Sequence, residues 1–272
     1  MPELPEVEIF RRYAHSVALH HPIVHVEVKA PVLLSGLPPD QFGRRICGQA
    51  FTETARHGKH LFLKLSGGSW LMIHFGMTGG LTYVRSRGEC PRFTGVRFSF
   101  SNGHALVYVS ARKLGQLCLT AQPASFVTAR HLGPDALDPC LTPQDLGRVL
   151  RSRKRAVKLV LMDQHLIAGI GNLYADEILF QARLHPFQPA HQLNCRQVTR
   201  LFRALRHVCT LAIARDANPS RYPRTWLWHA RFAGGRCPRC KASVVHAAKL
   251  GSRTTYWCPQ CQRGISSSQE QT

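Results

Sequence analysis

The spacing of apolar residues changes twice along this chain. Just after the N-terminus, apolar residues recur at helical spacing, at Val7, Phe10, Ala14 and Val17. From about residue 23 to residue 120, apolar and polar residues alternate instead, in short runs at 60–65, 70–75, 96–100 and 106–109. Clusters of glycine and asparagine separate these runs. The first half is therefore predicted to be one helix followed by an antiparallel β-sandwich.

Helical spacing returns in the second half of the chain. Helices are predicted over 143–152, 155–162, 173–182 and 195–214. Thr142 and Asn194 are suited to cap the first and the last of these helices, because their side chains can accept a bond from a backbone N–H. A tight turn, Gly169-Ile170-Gly171-Asn172, precedes the third helix, and Asn172 is its predicted N-cap.

The chain is strongly basic. Its 272 residues include 36 Lys and Arg against 15 Asp and Glu, which gives a formal net charge of +21. Nucleic acid is the expected partner, because Lys and Arg neutralise backbone phosphates. The alternative is a basic protein whose charged faces are simply solvated. No run of about 18 apolar residues predicts a membrane span, and we expect no membrane partner.

Four of the ten cysteines form two C-x2-C pairs near the C-terminus. Seventeen residues separate the pairs, a spacing typical of a four-cysteine zinc finger. Four thiolates leave no open coordination position, so the predicted zinc is structural. The expected ligands are Cys237, Cys240, Cys258 and Cys261. The other cysteines are scattered without the spacing of a disulfide framework, which favours a reducing compartment.

The glycine turn before the third helix is a candidate phosphate-binding site. A helix N-terminus behind glycines offers backbone N–H groups to phosphate oxygens. Basic residues crowd just before it, at Arg151, Arg153, Lys154, Arg155 and Lys158. A simple turn between two helices is the alternative, and the surrounding charge favours the phosphate site.

The N-terminus offers candidate chemistry. Removal of Met1, which is common before proline, would leave Pro2 as a free secondary amine. Such an amine can attack an electrophilic carbon and form an iminium, and the adjacent Glu3 can handle protons. Many proteins begin with Met-Pro, so this dipeptide gains meaning only from the rest of the chain.

Five motifs together resemble the formamidopyrimidine-DNA glycosylase and endonuclease VIII family of base-excision enzymes. The resemblance runs from Met1 to about Arg263. Its motifs are PELPEVE at 2–8, RHGKHLFL at 56–63, HFGMTG at 74–79, LMDQHLIAGIGNLYADEILF at 161–180 and RTTYWCPQCQ at 253–262. The opening PELPE looks more like the formamidopyrimidine branch than the endonuclease VIII branch.

The resemblance implies roles for individual residues. Pro2 matches the nucleophile that attacks C1′ of the damaged nucleotide, Glu3 its acid–base partner, and Lys59 a lysine that assists catalysis near the lesion. Residues matching those that hold backbone phosphates are Lys158, Asn172 and Arg253. Those matching the side chains that fill the gap left by the extruded base are Met77, Arg112 and Leu114, which we call the wedge. Core packing is the alternative for Met77 and Leu114.

Two departures from the formamidopyrimidine branch leave the lesion open. Leu114 stands where that branch has phenylalanine, and the segment from Asp216 to Cys237, which in that branch closes over 8-oxoguanine, is short. Oxidised pyrimidines, ring-opened purines, hydantoins and abasic sites are therefore expected substrates as much as 8-oxoguanine is.

The predicted fold class is α+β. We expect an N-terminal helix and β-sandwich domain over 1–134, a helical helix–two-turn–helix (H2TH) domain over 140–216 and a zinc finger over 234–265. The resemblance implies a monomeric bacterial enzyme of the cytoplasm that binds damaged double-stranded DNA between its domains. It would remove the base and cut the strand by β,δ-elimination. The alternatives are a damaged-DNA-binding protein without catalysis and a zinc-ribbon interaction module.

Overall fold

The computed structural model describes residues 1–85, 88, 90–232 and 234–264. They form two compact units, Met1–His131 and a second that begins at Leu132. The last residue of the predicted finger, 265, lies outside the described residues. Among the described residues, no helix is both long enough and apolar enough to cross a membrane.

The first unit opens with helix α1, Leu4–Ala18. A capping box between Glu3 and Glu6 starts it, in which the Glu3 N–H donates to the Glu6 carboxylate at 2.9 Å. Pro5 lies in the first turn, where a missing N–H costs nothing. Val7 and Ala14 are fully buried. The predicted N-terminal helix is confirmed.

Two antiparallel four-stranded sheets follow. Their strands are β1 Ile23–Val28, β2 Phe51–His57, β3 His60–Leu65, β4 Trp70–His74, β5 Gly79–Arg85, β6 Thr94–Phe100, β7 His104–Ser110 and β8 Gln116–Thr120. One sheet has the order β1-β6-β7-β5 and the other β2-β3-β4-β8. Leu63 and Leu71 of one sheet share a buried core with Phe98 and Leu106 of the other. The predicted β-sandwich is confirmed.

Two short helices of this unit are not predicted by the sequence pattern. Helix α2 spans Pro39–Ile46, and α3 spans Pro123–Ala129. Each has a proline in its first turn and buries only one or two apolar residues. Such short segments show too few turns of helical spacing to stand out from a loop.

The second unit is helical at first. Helices α4 Pro143–Arg151, α5 Val157–Met162, α6 Asn172–Gln181 and α7 Cys195–Ala214 lie within two residues of the predicted ranges. Thr142 and Asn194 cap α4 and α7 as predicted, each in a capping box. The predicted cap of α6 is wrong by one residue. Gly171 is the N-cap, because its backbone is still extended, and Asn172 is already helical.

A two-stranded finger hairpin ends the described chain. Strands β9 His246–Leu250 and β10 Arg253–Trp257 pair in antiparallel fashion. Between them Gly251 has a φ of +58° in the left-handed region, which favours glycine. Below the hairpin, Cys237, Val245 and Cys258 share a buried cluster with Phe180 of α6. The finger is therefore packed onto the helical part of its own unit.

Candidate active site

The three wedge residues lie close together and exposed. Met77 is 37% exposed and Leu114 53%, so the core-packing alternative does not hold for them. The Arg112 guanidinium lies 3.1 Å from the Met77 sulfur, and the Arg112 N–H donates to Thr78 Oγ1 at 3.1 Å. The structure therefore brings one cation and two apolar side chains to a single exposed site.

Gly76 allows the two wedge loops to approach each other. Its φ is +59°, and a Cβ at this position would lie 2.4 Å from the carbonyl oxygen of Leu114. Any other residue would push the loop of Leu114 away from the loop of Met77. The HFGMTG motif thus has a steric reason for its first glycine.

The candidate nucleophile and acid lie at the N-terminus of α1. Pro2 is half-buried, and Glu3 is only 1% exposed. A carboxylate is favoured at a helix N-terminus, where the backbone N–H groups give a partial positive charge. Met1 is exposed. The structure therefore places a shielded carboxyl group directly beside the residue that would become the terminal amine.

A partly buried ion-pair cluster joins α1 to the turn that carries Lys59. Glu8 accepts bonds from Arg11 at 2.8 Å and Arg12 at 3.0 Å on its own helix, and from Arg56 at 3.3 Å. Arg56 also donates to the carbonyl of Gly58 at 3.1 Å, which fixes the turn between β2 and β3. Glu8 thus ties the helix of Pro2 to the turn before Lys59.

The Glu8 carboxyl group is strongly favoured in its ionised form. Burial alone would raise its pKa, but hydrogen bonds from Arg11 and Arg12 and the charge of Arg56 lower the pKa to about 2. In the sequence Glu8 is only the last residue of the PELPEVE motif. Its partner Arg56 lies 48 residues away, and no local pattern reports such a pairing.

Two histidines beside Lys59 are held neutral. Their rings, His60 on β3 and His74 on β4, lie 5.1 Å apart. Burial and the facing His74 lower the pKa of His60 to about 3. Burial and the charge of Lys59 lower the pKa of His74. At neutral pH the lysine is therefore the cationic group of this cluster, and the imidazoles are neutral hydrogen-bonding groups.

Lys158 requires a correction. Its side chain has no exposed surface, so its ammonium cannot reach a DNA phosphate in this structure. It pairs instead with Asp176 of α6 at 2.6 Å and donates to Thr255 Oγ1 at 2.8 Å. Asp176 also pairs with Arg231 at 2.9 Å. We reassign Lys158 as a residue that holds the finger hairpin against α5 and α6.

Asn172 contacts the finger hairpin near its turn, at the residue that follows Arg253. The Asn172 side-chain N–H donates to the carbonyl of Thr254 at 3.2 Å. Its Oδ1 atom is buried without a hydrogen-bond partner among the described residues. Arg253, the residue before Thr254, is exposed. The structure therefore joins the end of the glycine turn to the strand that carries the finger arginine, and a phosphate role remains a prediction for both residues.

The four predicted zinc ligands form one cluster. The sulfurs of Cys237, Cys240, Cys258 and Cys261 all lie within 4.8 Å of one another, with Cys237 to Cys261 at 3.8 Å and Cys240 to Cys258 at 3.7 Å. Tetrahedral zinc–sulfur bonds of about 2.3 Å place the sulfurs about 3.8 Å apart. The cluster therefore has the size and the ligand set of a four-cysteine zinc site.

Comparison with known proteins decides the family. The family model described as the formamidopyrimidine-DNA glycosylase N-terminal domain matches residues 1–117, and the H2TH domain model of the same enzymes matches residues 132–223. The formamidopyrimidine-DNA glycosylase of Moorella thermoacetica is 39% identical over 216 residues, 79% of each chain. The chain belongs to the formamidopyrimidine-DNA glycosylase family. The enzyme of Pelotomaculum thermopropionicum is 34% identical over 275 residues and covers 97% of this chain and 99% of its own.

Solved structures show the same fold. A Lactococcus lactis formamidopyrimidine-DNA glycosylase in complex with DNA that contains an oxidised pyrimidine matches with a TM-score of 0.89 at 24% identity. The match covers 97% of this chain and all of that one. A complex of the L. lactis enzyme with DNA that contains a ring-opened guanine (FAPY-dG) matches with a TM-score of 0.88, also at 24% identity, over 96% of this chain and all of that one. The predicted family and fold class are confirmed.

Proposed function

We propose that this DNA glycosylase is bifunctional: it removes oxidised or ring-opened bases from duplex DNA and then cuts the strand as an AP lyase. The arrangement at the start of α1 carries the proposal. Pro2 lies next to the shielded carboxyl group of Glu3, and Glu8 ties this helix through Arg56 to the turn before Lys59. Family membership supports the glycosylase step, and these residues support the lyase step.

The first step needs a free amine. The peptide nitrogen of Pro2 is not nucleophilic, so Met1 has to be removed first. The Pro2 nitrogen then attacks C1′ of the damaged nucleotide, and the bond between C1′ and the base breaks with the electron pair leaving on the base. Glu3 in its acid form protonates the ring oxygen of the sugar. The ring opens to an iminium between Pro2 and C1′.

The second step cuts the strand. The iminium acidifies the C2′ proton, which Glu3 as a carboxylate accepts, and the 3′ phosphate leaves by β-elimination. A second elimination expels the 5′ phosphate, and water hydrolyses the remaining iminium to release the amine. Lys59 supplies positive charge beside the departing phosphates, and the neutral histidines do not compete for them.

The wedge residues support base extrusion. Flipping a nucleotide leaves a gap in the base stack and an orphaned partner base. Met77 and Leu114 are apolar and exposed enough to fill such a gap, and Arg112 can bond the orphaned base. Asn172 and Arg253 are proposed to hold the backbone, Asn172 through the second N–H of the amide group that already donates to the carbonyl of Thr254.

The segment between α7 and the finger supports a broad choice of lesion. It is packed onto its own unit, with Tyr222 and Trp226 buried and the hydroxyl of Tyr222 2.7 Å from that of Tyr174. Glu177 accepts the N–H of Trp228 at 3.0 Å. A short, anchored segment is poorly suited to close over one particular base. We therefore propose oxidised pyrimidines and ring-opened purines as substrates; the L. lactis enzyme has been crystallised with DNA of both kinds.

We propose zinc as the metal of the four-cysteine cluster. When bound, it crosslinks the finger and supplies no reacting group, because the four thiolates fill its coordination sphere. The residues that meet DNA here are those of the hairpin, above all Arg253.

Strand incision tests this proposal. Met1-trimmed protein and its Pro2→Gly and Glu3→Gln variants would be incubated with duplexes that carry one oxidised pyrimidine, one ring-opened guanine or one abasic site. Wild type should leave phosphate on both sides of a one-nucleotide gap, and both variants should lose incision at least about 100-fold. Glu53→Gln, an exposed carboxylate on β2, is the matched control and should cut normally. Wild-type binding without any base release or incision would favour the damage-binding alternative.

A further inference from the structure

A tyrosine hydroxyl is buried beneath the loops that carry the wedge. Met77 lies in the loop between β4 and β5, and Arg112 and Leu114 lie in the loop between β7 and β8. Tyr108 of β7 has no exposed surface. Its hydroxyl donates to the carbonyl of Phe75, at the start of the first loop, at 3.4 Å. Because a buried hydroxyl needs a hydrogen-bond partner, this contact keeps the tyrosine against the first loop.

The same hydroxyl also contacts the second loop. A Cβ at Gly115, the residue after Leu114, would overlap the Tyr108 oxygen. On the side of the first loop, a Cβ at Gly79 would lie 2.7 Å from the same oxygen. The hydroxyl therefore occupies the space that side chains at these two glycines would fill, and both loop backbones lie against it.

Two further hydroxyl groups extend this contact between the loops. Burial raises the pKa of Tyr108, and a hydrogen bond with Ser110 opposes the rise, so the tyrosine stays a donor at neutral pH. The Ser110 hydroxyl accepts the N–H of Lys113 at 3.2 Å and lies 3.5 Å from Thr78 Oγ1. Thr78 Oγ1 in turn accepts the N–H of Arg112 at 3.1 Å. A chain of three side-chain hydroxyls thus joins the backbone of one loop to that of the other.

We propose that Tyr108 is a positioning residue for the wedge. Its hydroxyl holds the loop of Met77 and the loop of Leu114 in one arrangement before DNA binds, so that both apolar side chains enter the gap together. Loops that are ordered in advance lose less conformational freedom on binding. Tyr108 has no exposed surface, so it acts through the wedge and does not touch DNA. The proposal rests on the proposed function, because it takes the wedge as the group that fills the gap left by the extruded base.

Base release measures the effect of the hydroxyl. Tyr108→Phe keeps the ring and should slow single-turnover release of a paired oxidised pyrimidine about fivefold, the effect of one lost hydrogen bond. p-Aminophenylalanine at position 108 keeps a donor in the same place and should retain the wild-type rate. Tyr83→Phe is the matched control, because it removes a hydroxyl on β5 that accepts a bond from Asn102. This control should release the base as wild type does.

A double-mutant cycle separates positioning from a general structural role. Leu114→Ala removes much of the apolar surface that fills the gap. If Tyr108 acts through the wedge, adding Tyr108→Phe to this variant should slow base release by less than about twofold further. A residue that only stabilised the fold would slow base release equally in both backgrounds, and that result would overturn the proposal.

Hydrogen exchange without DNA tests the connection between the loops directly. Tyr108→Phe should raise the exchange rates of the Gly79 and Lys113 N–H groups severalfold, while β3 and β4 stay protected. Unchanged exchange in these loops would contradict the proposal. If Tyr108→Phe fails to fold, Thr78→Val breaks the same chain at an exposed residue and decides by the same cycle.

Failure of this proposal differs from failure of the proposed function. Wild-type protein would still release the base and cut the strand if Tyr108→Phe behaved as wild type does. If wild type itself released no base, the proposed function would fail, and the exchange measurement would still test whether Tyr108 holds the two loops.

Discussion

The two units of this protein hold their anchoring carboxylates in opposite ways. In the first unit, Glu8 is surrounded by Arg11, Arg12 and Arg56, and its pKa falls to about 2. In the second unit, Asp176 and Glu177 lie side by side on α6 with 1% exposure each, and burial raises the pKa of both. The first unit thus anchors its site with a stably charged group. The second unit encloses two acidic groups, and we expect a change in either to alter the free energy of unfolding more than a change in Glu8 does.

The difference follows from what each carboxylate holds. Glu8 fixes a turn through Arg56, and its other two partners, Arg11 and Arg12, are half-buried and exposed, so that water reaches part of the cluster. Asp176 holds the fully buried Lys158 and, with it, the finger hairpin. A neutral Asp176 would leave buried cations without compensation, so we expect it to remain ionised at neutral pH although burial raises its pKa.

Metal removal should produce the largest difference in stability between the two units. The finger has a small core around Cys237 and Cys258, and structural zinc sites contribute on the order of 10 kcal/mol to such modules. A chelator should release one zinc per chain and abolish hydrogen-exchange protection in β9 and β10, while β3 and β4 stay protected. Cys195→Ala, which removes an exposed cysteine outside the cluster, is the control and should keep its metal. Full protection of the hairpin after chelation would contradict a structural metal.

Removing the charge of Asp176 should be the most destabilising single substitution. Asp176→Asn leaves Lys158 buried and without its counter-ion, which costs about 3–5 kcal/mol. Urea denaturation measures the loss in free energy of unfolding. Asp163→Asn, which removes a more exposed partner of Arg155, should cost less than about 1 kcal/mol. Equal effects of the two variants would remove the distinction between buried and exposed anchors.

Glu177 should make the stability of the protein fall as pH rises. Burial raises its pKa from 4.5 to about 7, so the folded state holds a proton that the unfolded state releases between these values. The free energy of unfolding should therefore drop by about 2 kcal/mol between pH 4.5 and 7 from this group alone. Glu177→Gln keeps an acceptor for the Trp228 N–H and should remove this drop. If the free energy of unfolding changed with pH in the same way for wild type and variant, Glu177 would not be the source of the drop.

Glu8 should show the opposite dependence with a smaller effect. Its folded pKa of about 2 is below the unfolded value of 4.5, so its contribution is present above pH 4.5 and lost as the pH falls toward 2. Glu8→Gln should cost about 1–2 kcal/mol at pH 7, because solvent screens part of the cluster. The variant should also lose less stability than wild type in acid. If the variant lost more free energy of unfolding in acid than wild type does, the predicted direction of the pH dependence would be wrong.

Local patterns predicted most of the fold. The helix caps at Thr142 and Asn194 and the alternation of β3 and β4 depend on neighbouring residues, and the structure confirms them. The fate of Lys158 depends on Asp176 and Arg231, which lie 18 and 73 residues further along the chain. Sequence spacing shows that a lysine precedes the glycine turn but not whether folding buries its ammonium.

In the candidate site, too, some features could be predicted from local motifs and others depend on residues far apart in the chain. Motif resemblance located the wedge, and the structure places it at one exposed site. The role of Glu8 was not foreseen, because its partner Arg56 lies on β2, 48 residues further along the chain.

Borohydride trapping tests the central claim most directly. Borohydride reduces an iminium to a stable amine, so Met1-trimmed protein incubated with an abasic duplex should yield a covalent protein–DNA complex. Mass spectrometry of its peptides should place the adduct on the nitrogen of Pro2, and Pro2→Gly should trap far less. An adduct on a lysine, or no adduct from zinc-loaded, trimmed protein that binds the duplex, would contradict the account.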